Sequence, residues 1–174
     1  MSDEGSQAPH VFDWGEWVGD VRDGHAHGDG EITFKNGFRY EGQVQHNMMH
    51  GRGRLVLGNS GEEYEGEFQN DMRHGHGAHS WPSGSRYSGQ WTHGKMEGEG
   101  EFLFDNGDLY DGQFANDYFE GEGIYRIKET GAWYDGQFQK GMKHGQGTHF
   151  FGNGDSYEGG FVENTRHGYG VYTF

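Results

Sequence analysis

The chain of 174 residues contains no cysteine and only two prolines. Without cysteine there are no disulfides, no thiolate metal sites and no cysteine nucleophile, a composition that suits a reducing compartment. Hydrophobic residues make up only 30% of the chain, well below the globular norm, so no deep aliphatic core is expected. No apolar run approaches membrane-spanning length, and the segment from Met1 to Pro9 lacks the apolar centre of a signal peptide. Ser2 stands where N-myristoylation needs glycine. Positive charge is short as well. Thirteen Lys and Arg against 28 Asp and Glu leave a net charge of −15, which repels nucleic acid and anionic lipid surfaces by default. These absences predict an acidic, cytoplasmic chain.

What the chain does have is 35 glycines, 16% aromatic residues and a period. Low hydrophobicity with high charge usually signals disorder, but an aromatic-x-Gly phrase returns seven times. It reads Trp17-Val-Gly19, Tyr40-Glu-Gly42, Tyr64-Glu-Gly66, Tyr87-Ser-Gly89, Tyr110-Asp-Gly112, Tyr134-Asp-Gly136 and Tyr157-Glu-Gly159, at spacings of 23, 24, 23, 23, 24 and 23 residues. A short strict period means stacked repeats that bury their faces against one another. The phrase accounts for nearly all of residues 17–174 and leaves no room for a separate catalytic domain. Glycines let backbones approach, and rings bury a large area per residue.

Within a repeat the residues alternate. Tyr64, Gly66 and Phe68 share one face while Glu65, Glu67 and Gln69 take the other, which predicts a strand. A turn follows over Gln69–Arg73, and its third residue, Asp71, corresponds to Gly24, Asn47, Gly94, Asp117, Gly141 and Asn164. Only Gly, Asn and Asp fill that slot, so a left-handed backbone is expected there. The return strand is expected to begin at Gly75-His76-Gly77 and to carry His79 and Trp81 on one face. Connections such as Lys35-Asn36-Gly37, Pro82–Ser85, Asp105-Asn106-Gly107 and Gly152-Asn153-Gly154 lead into the next repeat. The expected fold is all-β: a single elongated, twisted antiparallel meander of about seven β-hairpins, open at its ends. The expected division is a mobile tail over 1–9, a partial capping repeat over 10–16, and repeats over 17–39, 40–63, 64–86, 87–109, 110–133, 134–156 and 157–174.

The phrase Tyr134-Asp-Gly-Gln-Phe-Gln-Lys-Gly-Met-Lys-His144-Gly-Gln-Gly147 resembles the MORN repeat (membrane occupation and recognition nexus). Trp17 in place of Tyr, Val21 and Val44 in place of the second aromatic, and Glu97 and Glu120 in place of His depart from the pattern. The resemblance implies a non-catalytic scaffold: similar all-repeat proteins serve in ciliary axonemes, including radial spoke heads, and in cytoskeletal collars of parasites. Lys128-Glu-Thr-Gly131, one residue longer than other connections, is similar to turns of spoke-head members. The family also implies one alternative, a membrane- or phosphoinositide-associated module. A second alternative, on the reading of the aromatic face as a trough, is a peptide-binding module for a segment such as a motor-protein tail. The charge and the missing anchor oppose the membrane alternative.

No constellation of catalytic type stands out. His27, His50, His74, His144 and His167 recur in one repeat slot, which favours a structural role over metal binding or pH sensing. The string His74-Gly75-His76-Gly77-Ala78-His79 is weighed the same way. The Gly-x-Gly pairs open strands and precede no Gly-Lys-Ser/Thr, so they are not phosphate loops. Carboxylate pairs are what 28 acids produce anyway, and no nucleophile elbow occurs. The chain is therefore read as non-catalytic, without cofactor or metal. A single sheet cannot bury both faces, so the rings Tyr64, Phe68, Tyr87, Trp91, Tyr110, Phe114, Tyr134 and Phe138 are expected to line an accessible aromatic trough that binds protein partners. The acidic face is expected to attract basic segments. Val171, Tyr172, Thr173 and Phe174 are expected to offer an uncovered edge for self-association. The expected partners are cytoskeletal or axonemal proteins, and the expected location is the cytoskeleton of a cilium or flagellum.

Overall fold

The computed structural model describes residues 8–174, so positions 1–7 of the expected tail lie outside the described residues. Fifteen strands follow chain order in one open antiparallel sheet, and no helix occurs among the described residues. Two compact units divide the chain, the first ending at Pro82 and the second running from Ser83 to Phe174. The repeat pattern carries no mark of that boundary. The first unit holds β1 (His10–Phe12), β2 (Gly15–Arg22), β3 (His25–Phe34), β4 (Arg39–Gln45), β5 (Met48–Val56), β6 (Glu63–Gln69) and β7 (Met72–Ser80). The second holds β8 (Arg86–Thr92), β9 (Lys95–Leu103), β10 (Leu109–Ala115), β11 (Tyr118–Arg126), β12 (Trp133–Gln139), β13 (Met142–Phe150), β14 (Ser156–Val162) and β15 (Thr165–Thr173).

Each repeat is a hairpin closed by two left-handed residues. Asn70 and Asp71 have φ of +50° and +65°, and Asn116 and Asp117 have +51° and +70°. This is the primed turn whose twist matches that of the flanking strands. All seven positions expected to be left-handed are so, from Gly24 at +76° to Asn164 at +67°. The residue before each is left-handed too, although Lys140 and Glu163 are residue types that rarely accept it. Two-residue turns let the return strand begin earlier than expected, at Met72 instead of Gly75. Gly75, at φ +58°, then forms a bulge inside β7, where the register slips between Gly66 and Glu67.

The turns also join successive repeats. Asn47 Oδ1 accepts the Ala26 N–H at 2.7 Å, Asp71 Oδ1 the Met49 N–H at 2.8 Å, and Asp117 Oδ1 the Met96 N–H at 2.9 Å. The backbone answers reciprocally, as when Asp117 N–H donates to Met96 O at 3.2 Å. Asp117→Gly removes the carboxylate but relaxes the backbone, and should cost about 1 kcal/mol. Asp117→Ala removes the carboxylate while keeping a Cβ at positive φ, without the side chain that favours the left-handed turn, and should cost about 2 kcal/mol. Urea midpoints of the two variants check the order. The two 24-residue periods arise in the connections: Leu57 N–H bonds Glu62 O and Ile127 N–H bonds Ala132 O, one residue further than Phe104 N–H to Asp108 O.

One layer builds its own core by laying rings on bare backbone. The Tyr64 ring lies over the paired Gly66 and Gly77, where a Cβ added to Gly77 would meet the hydroxyl oxygen at 2.2 Å and two ring carbons at 2.4 and 2.6 Å. Its hydroxyl donates to Glu67 O at 2.9 Å, as Tyr40, Tyr87 and Tyr110 do to Gln43, Gln90 and Gln113 O at 2.7, 2.8 and 2.8 Å. Trp17 departs from the pattern without losing the bond, since its indole N–H donates to Asp20 O at 2.9 Å. Where the second aromatic slot of a repeat holds phenylalanine, the ring then wedges edge-on between tyrosines of two successive repeats. In the first unit Phe68 sits 5.2 and 5.0 Å from Tyr40 and Tyr64; in the second Phe114 sits 4.9 and 5.2 Å from Tyr87 and Tyr110. Edge-to-face pairs of this kind contribute about 1 kcal/mol each beyond the area they bury.

Candidate functional site

This packing corrects the expected trough. Tyr64, Phe68, Tyr87, Trp91, Tyr110, Phe114, Tyr134 and Phe138 are all 5% exposed or less. They are core, because rings that drop onto glycine backbone are covered edge-on by the rings of the neighbouring repeat. A partner cannot reach them without unfolding the sheet. Val171, Tyr172, Thr173 and Phe174 are exposed, with Val171 at 66% and Phe174 at 96%.

The accessible apolar groups on the tyrosine-bearing face (the tyrosine face below) come from the return strands. Opposite the tyrosines stand Leu55, His79, Phe102, Tyr125, His149 and Tyr172. In the second unit Phe102, Phe104, Phe119 and Tyr125 are half-buried and form one cluster. Phe104 lies 4.7 Å from Phe102 and 5.7 Å from Tyr125, while Phe119 stacks on the buried Tyr110 ring at 3.8 Å. Asp108 sets this cluster from below. Burial works against its charge, but the Lys128 N–H, the Asn106 side-chain amide and the Tyr125 hydroxyl, at 3.0, 3.1 and 3.0 Å, hold its carboxyl below the usual range. Burial and the neighbouring carboxylate push the Tyr125 hydroxyl up to about 12.

The first unit has a cleft of about 420 Å³ lined by Trp14, Phe34, Phe38, Met49 and Leu55, with the turn residues Asn47 and Asp71. Beside it on the same unit, His79 is buried between Arg73 Nη1 at 3.0 Å and Glu62 Oε1 at 3.1 Å. Burial and then Arg73 hold its imidazole below the ordinary value, against the pull of Glu62.

A family model described as the MORN repeat matches residues 15–39, 40–62, 64–86, 87–109, 110–128, 134–156 and 157–174. The chain belongs to the MORN-repeat family. MORN repeats are in general non-catalytic, which is consistent with a repeat scaffold. No curated protein matches the chain. Among solved structures it is similar to the TCP domain of SAS-4 (dCPAP) from Drosophila melanogaster, determined with a proline-rich motif of Ana2 (dSTIL). The identity is 11% over 100% of this chain and 94% of that one, with a TM-score of 0.43.

Two departures from the MORN pattern have a structural account. Where Glu97 and Glu120 replace the repeat histidine, their carboxylates accept the turn N–H groups of Asn116 and Lys140 at 3.0 and 2.9 Å. This slot therefore serves the junction between MORN repeats. One slot carries a cation over the repeat tyrosine in the third repeat, where Arg73 lies 5.9 Å from the centre of the Tyr64 ring, and again in the last two. Lys143 Nζ lies 4.9 Å from the centre of the Tyr134 ring, and the Arg166 guanidinium lies 5.4 Å from that of Tyr157. Burial lowers the Lys143 ammonium, and burial with the charges of Lys143 and Arg166 pushes His149 down to about 4.

The His149 shift has a testable sign. Between its ordinary 6.5 and about 4 the unfolded chain takes up a proton that the folded chain refuses. Its contribution to stability is therefore lost as pH falls through that window. His149→Tyr, the residue type that repeat five carries at Tyr125 in this slot, should flatten the decline in melting temperature between pH 6.5 and 5. An unchanged slope would assign the decline to other groups.

The return-strand aromatics were missed at the sequence level because they break the period. One slot holds Leu55, His79, Phe102, Tyr125, His149 and Tyr172 in successive repeats. Invariant slots carry the scaffold, so variation within a slot was the available signal for an exposed site.

Proposed function

We propose that the protein is a non-catalytic scaffold that binds a segment of a partner protein along its tyrosine face, in a ciliary axoneme such as a radial spoke, or in another cytoskeletal assembly. The observation that carries this reading is the half-exposed cluster of Phe102, Phe104, Phe119 and Tyr125 on a sheet whose core is already complete without it. Contiguous aromatic surface of this kind is costly to leave in water and marks contact sites. The composition supports a role in assembly, since repeats occupy residues 15–174 almost throughout. The axonemal location rests on the resemblance to ciliary MORN proteins.

The test is fractionation of a tagged copy from ciliated cells by detergent extraction, with mass spectrometry of what stays bound. Retention with axonemal proteins is expected. Phe104→Ser should cut retention roughly tenfold or more, the loss typical of an interface anchor. Leu103→Ser, at the exposed last residue of β9 and on the face opposite Phe102, should leave it unchanged. Recovery in the soluble or membrane fraction would sink the axonemal location. Equal retention of the two variants would remove the tyrosine face from the contact.

A further inference from the structure

Lys143 and Arg166 occupy one slot of successive repeats, paired across the sheet with Phe138 and Phe161. In repeats four and five the same slot holds Met96 and Phe119. The slot is therefore apolar over the Phe102–Phe104–Tyr125 cluster and cationic beyond it. Neither cation is in an ion pair among the described residues, although the chain has 28 acids; the three ion pairs found all lie within residues 54–79. Of the acids nearby in sequence, Glu163 stands exposed in the β14–β15 turn and forms no ion pair with Arg166, and others are engaged or placed elsewhere. Asp155 accepts the Tyr172 hydroxyl at 3.1 Å and the Asn153 amide at 2.9 Å, and Glu120 receives the Lys140 N–H. Glu122, Asp135 and Glu158 are exposed and alternate with Gly123, Tyr134 and Tyr157, so they belong to the opposite face. His149 pairs across the sheet with Tyr134 on one side and Tyr157 on the other, the two rings that carry Lys143 and Arg166, so the three groups lie on one face of neighbouring strands.

We propose that the last two repeats form an anion-accepting end of the tyrosine face, and that its occupant is a peptide segment joining apolar side chains to carboxylates. The apolar groups lie on Phe102, Phe104 and Tyr125, and the carboxylates meet Lys143 and Arg166. A partly desolvated ammonium with no carboxylate of its own gains more from an incoming one than a solvated lysine does. The tyrosine face thus selects acidic segments despite the net charge of −15, the reverse of what the whole-chain charge implies. This rests on the reading of the tyrosine face as a protein-binding surface and adds the chemistry of its partner.

The experiment is fluorescence anisotropy of the full chain with a labelled peptide of alternating Phe and Glu, and with counterparts carrying Gln or Lys for Glu. The Glu probe should bind roughly tenfold more tightly than the Gln probe, with the Lys probe weakest, and added salt should narrow the difference. Lys143→Gln with Arg166→Gln should erase the preference and keep binding of the Gln probe, while Lys143→Arg with Arg166→Lys should keep the preference. Equal binding of Glu and Gln probes overturns the anion site and leaves the protein-binding reading standing. Failure of every probe overturns both. Cation-dependent retention on vesicles of phosphatidylcholine with phosphatidylserine, without a preference for Glu, would assign the cations to a lipid headgroup and overturn the peptide.

Discussion

Gly77→Ala is expected to lower the unfolding free energy by about 3 kcal/mol, at the upper end of overpacking penalties in well-filled interiors. The added Cβ would stand 2.2 Å from the Tyr64 hydroxyl oxygen and 2.4 and 2.6 Å from two ring carbons. The ring cannot lift, because Phe68 packs against it at 5.0 Å and its hydroxyl holds Glu67 O. A shift of Tyr64 would therefore disturb Phe68 and, through it, Tyr40 in the preceding repeat. Gly37→Ala is the control. Its φ of +87° disfavours alanine, but nothing lies within 4 Å of the new methyl, so about 1 kcal/mol is expected. Urea titrations of both variants followed by circular dichroism settle the matter. A Gly77→Ala cost no larger than that of Gly37→Ala would show that the ring does not rest on the glycine pair.

Phe114→Ala should cost about 3–5 kcal/mol, the range for removing a fully buried ring. Phe114 is 3% exposed and wedges between Tyr87 and Tyr110, with Phe119 at 5.4 Å. Because repeats are held mainly by their neighbours, the loss falls on both flanking repeats and should lower the urea m-value as well as the midpoint. Phe114→Val should be milder, at about 2 kcal/mol, since valine fills this slot as Val44, where Met49 packs opposite. A drop in stability of under 1 kcal/mol for the alanine variant would mean that the herringbone of rings is not what joins the repeats. Neither variant can serve to map a partner, because both act on the core.

Much of this architecture is legible in the order of residues. The period of 23 or 24, the alternation around Tyr64 and Phe68, and the restricted slot of Asp71 are local patterns, and local patterns dictate strands, hairpins and turns. The second left-handed residue of each turn was hidden, because Lys140 and Glu163 are not types that announce positive φ; the hairpin imposes it on them. The longer turn at Lys128–Gly131 was visible as a count of residues, and its place at the connection follows from the Ile127 and Ala132 bond.

The repeat, the all-β antiparallel hairpins and their chain-order pairing follow from the order of residues, because each repeat carries its own strand, turn and glycine signals. Tertiary structure alone decided which aromatics are core and which are surface. Tyr64 and Phe102 look alike as residues on a strand, yet one lies on a glycine pair under its neighbour's ring and the other stands beside the filled layer. It also decided where charge is felt: a net count of −15 is a property of the chain, whereas Lys143 and Arg166 act at one end of one face. Burial and electrostatic contact depend on which repeats stack and which side of the pleat each side chain takes, and composition averages both away.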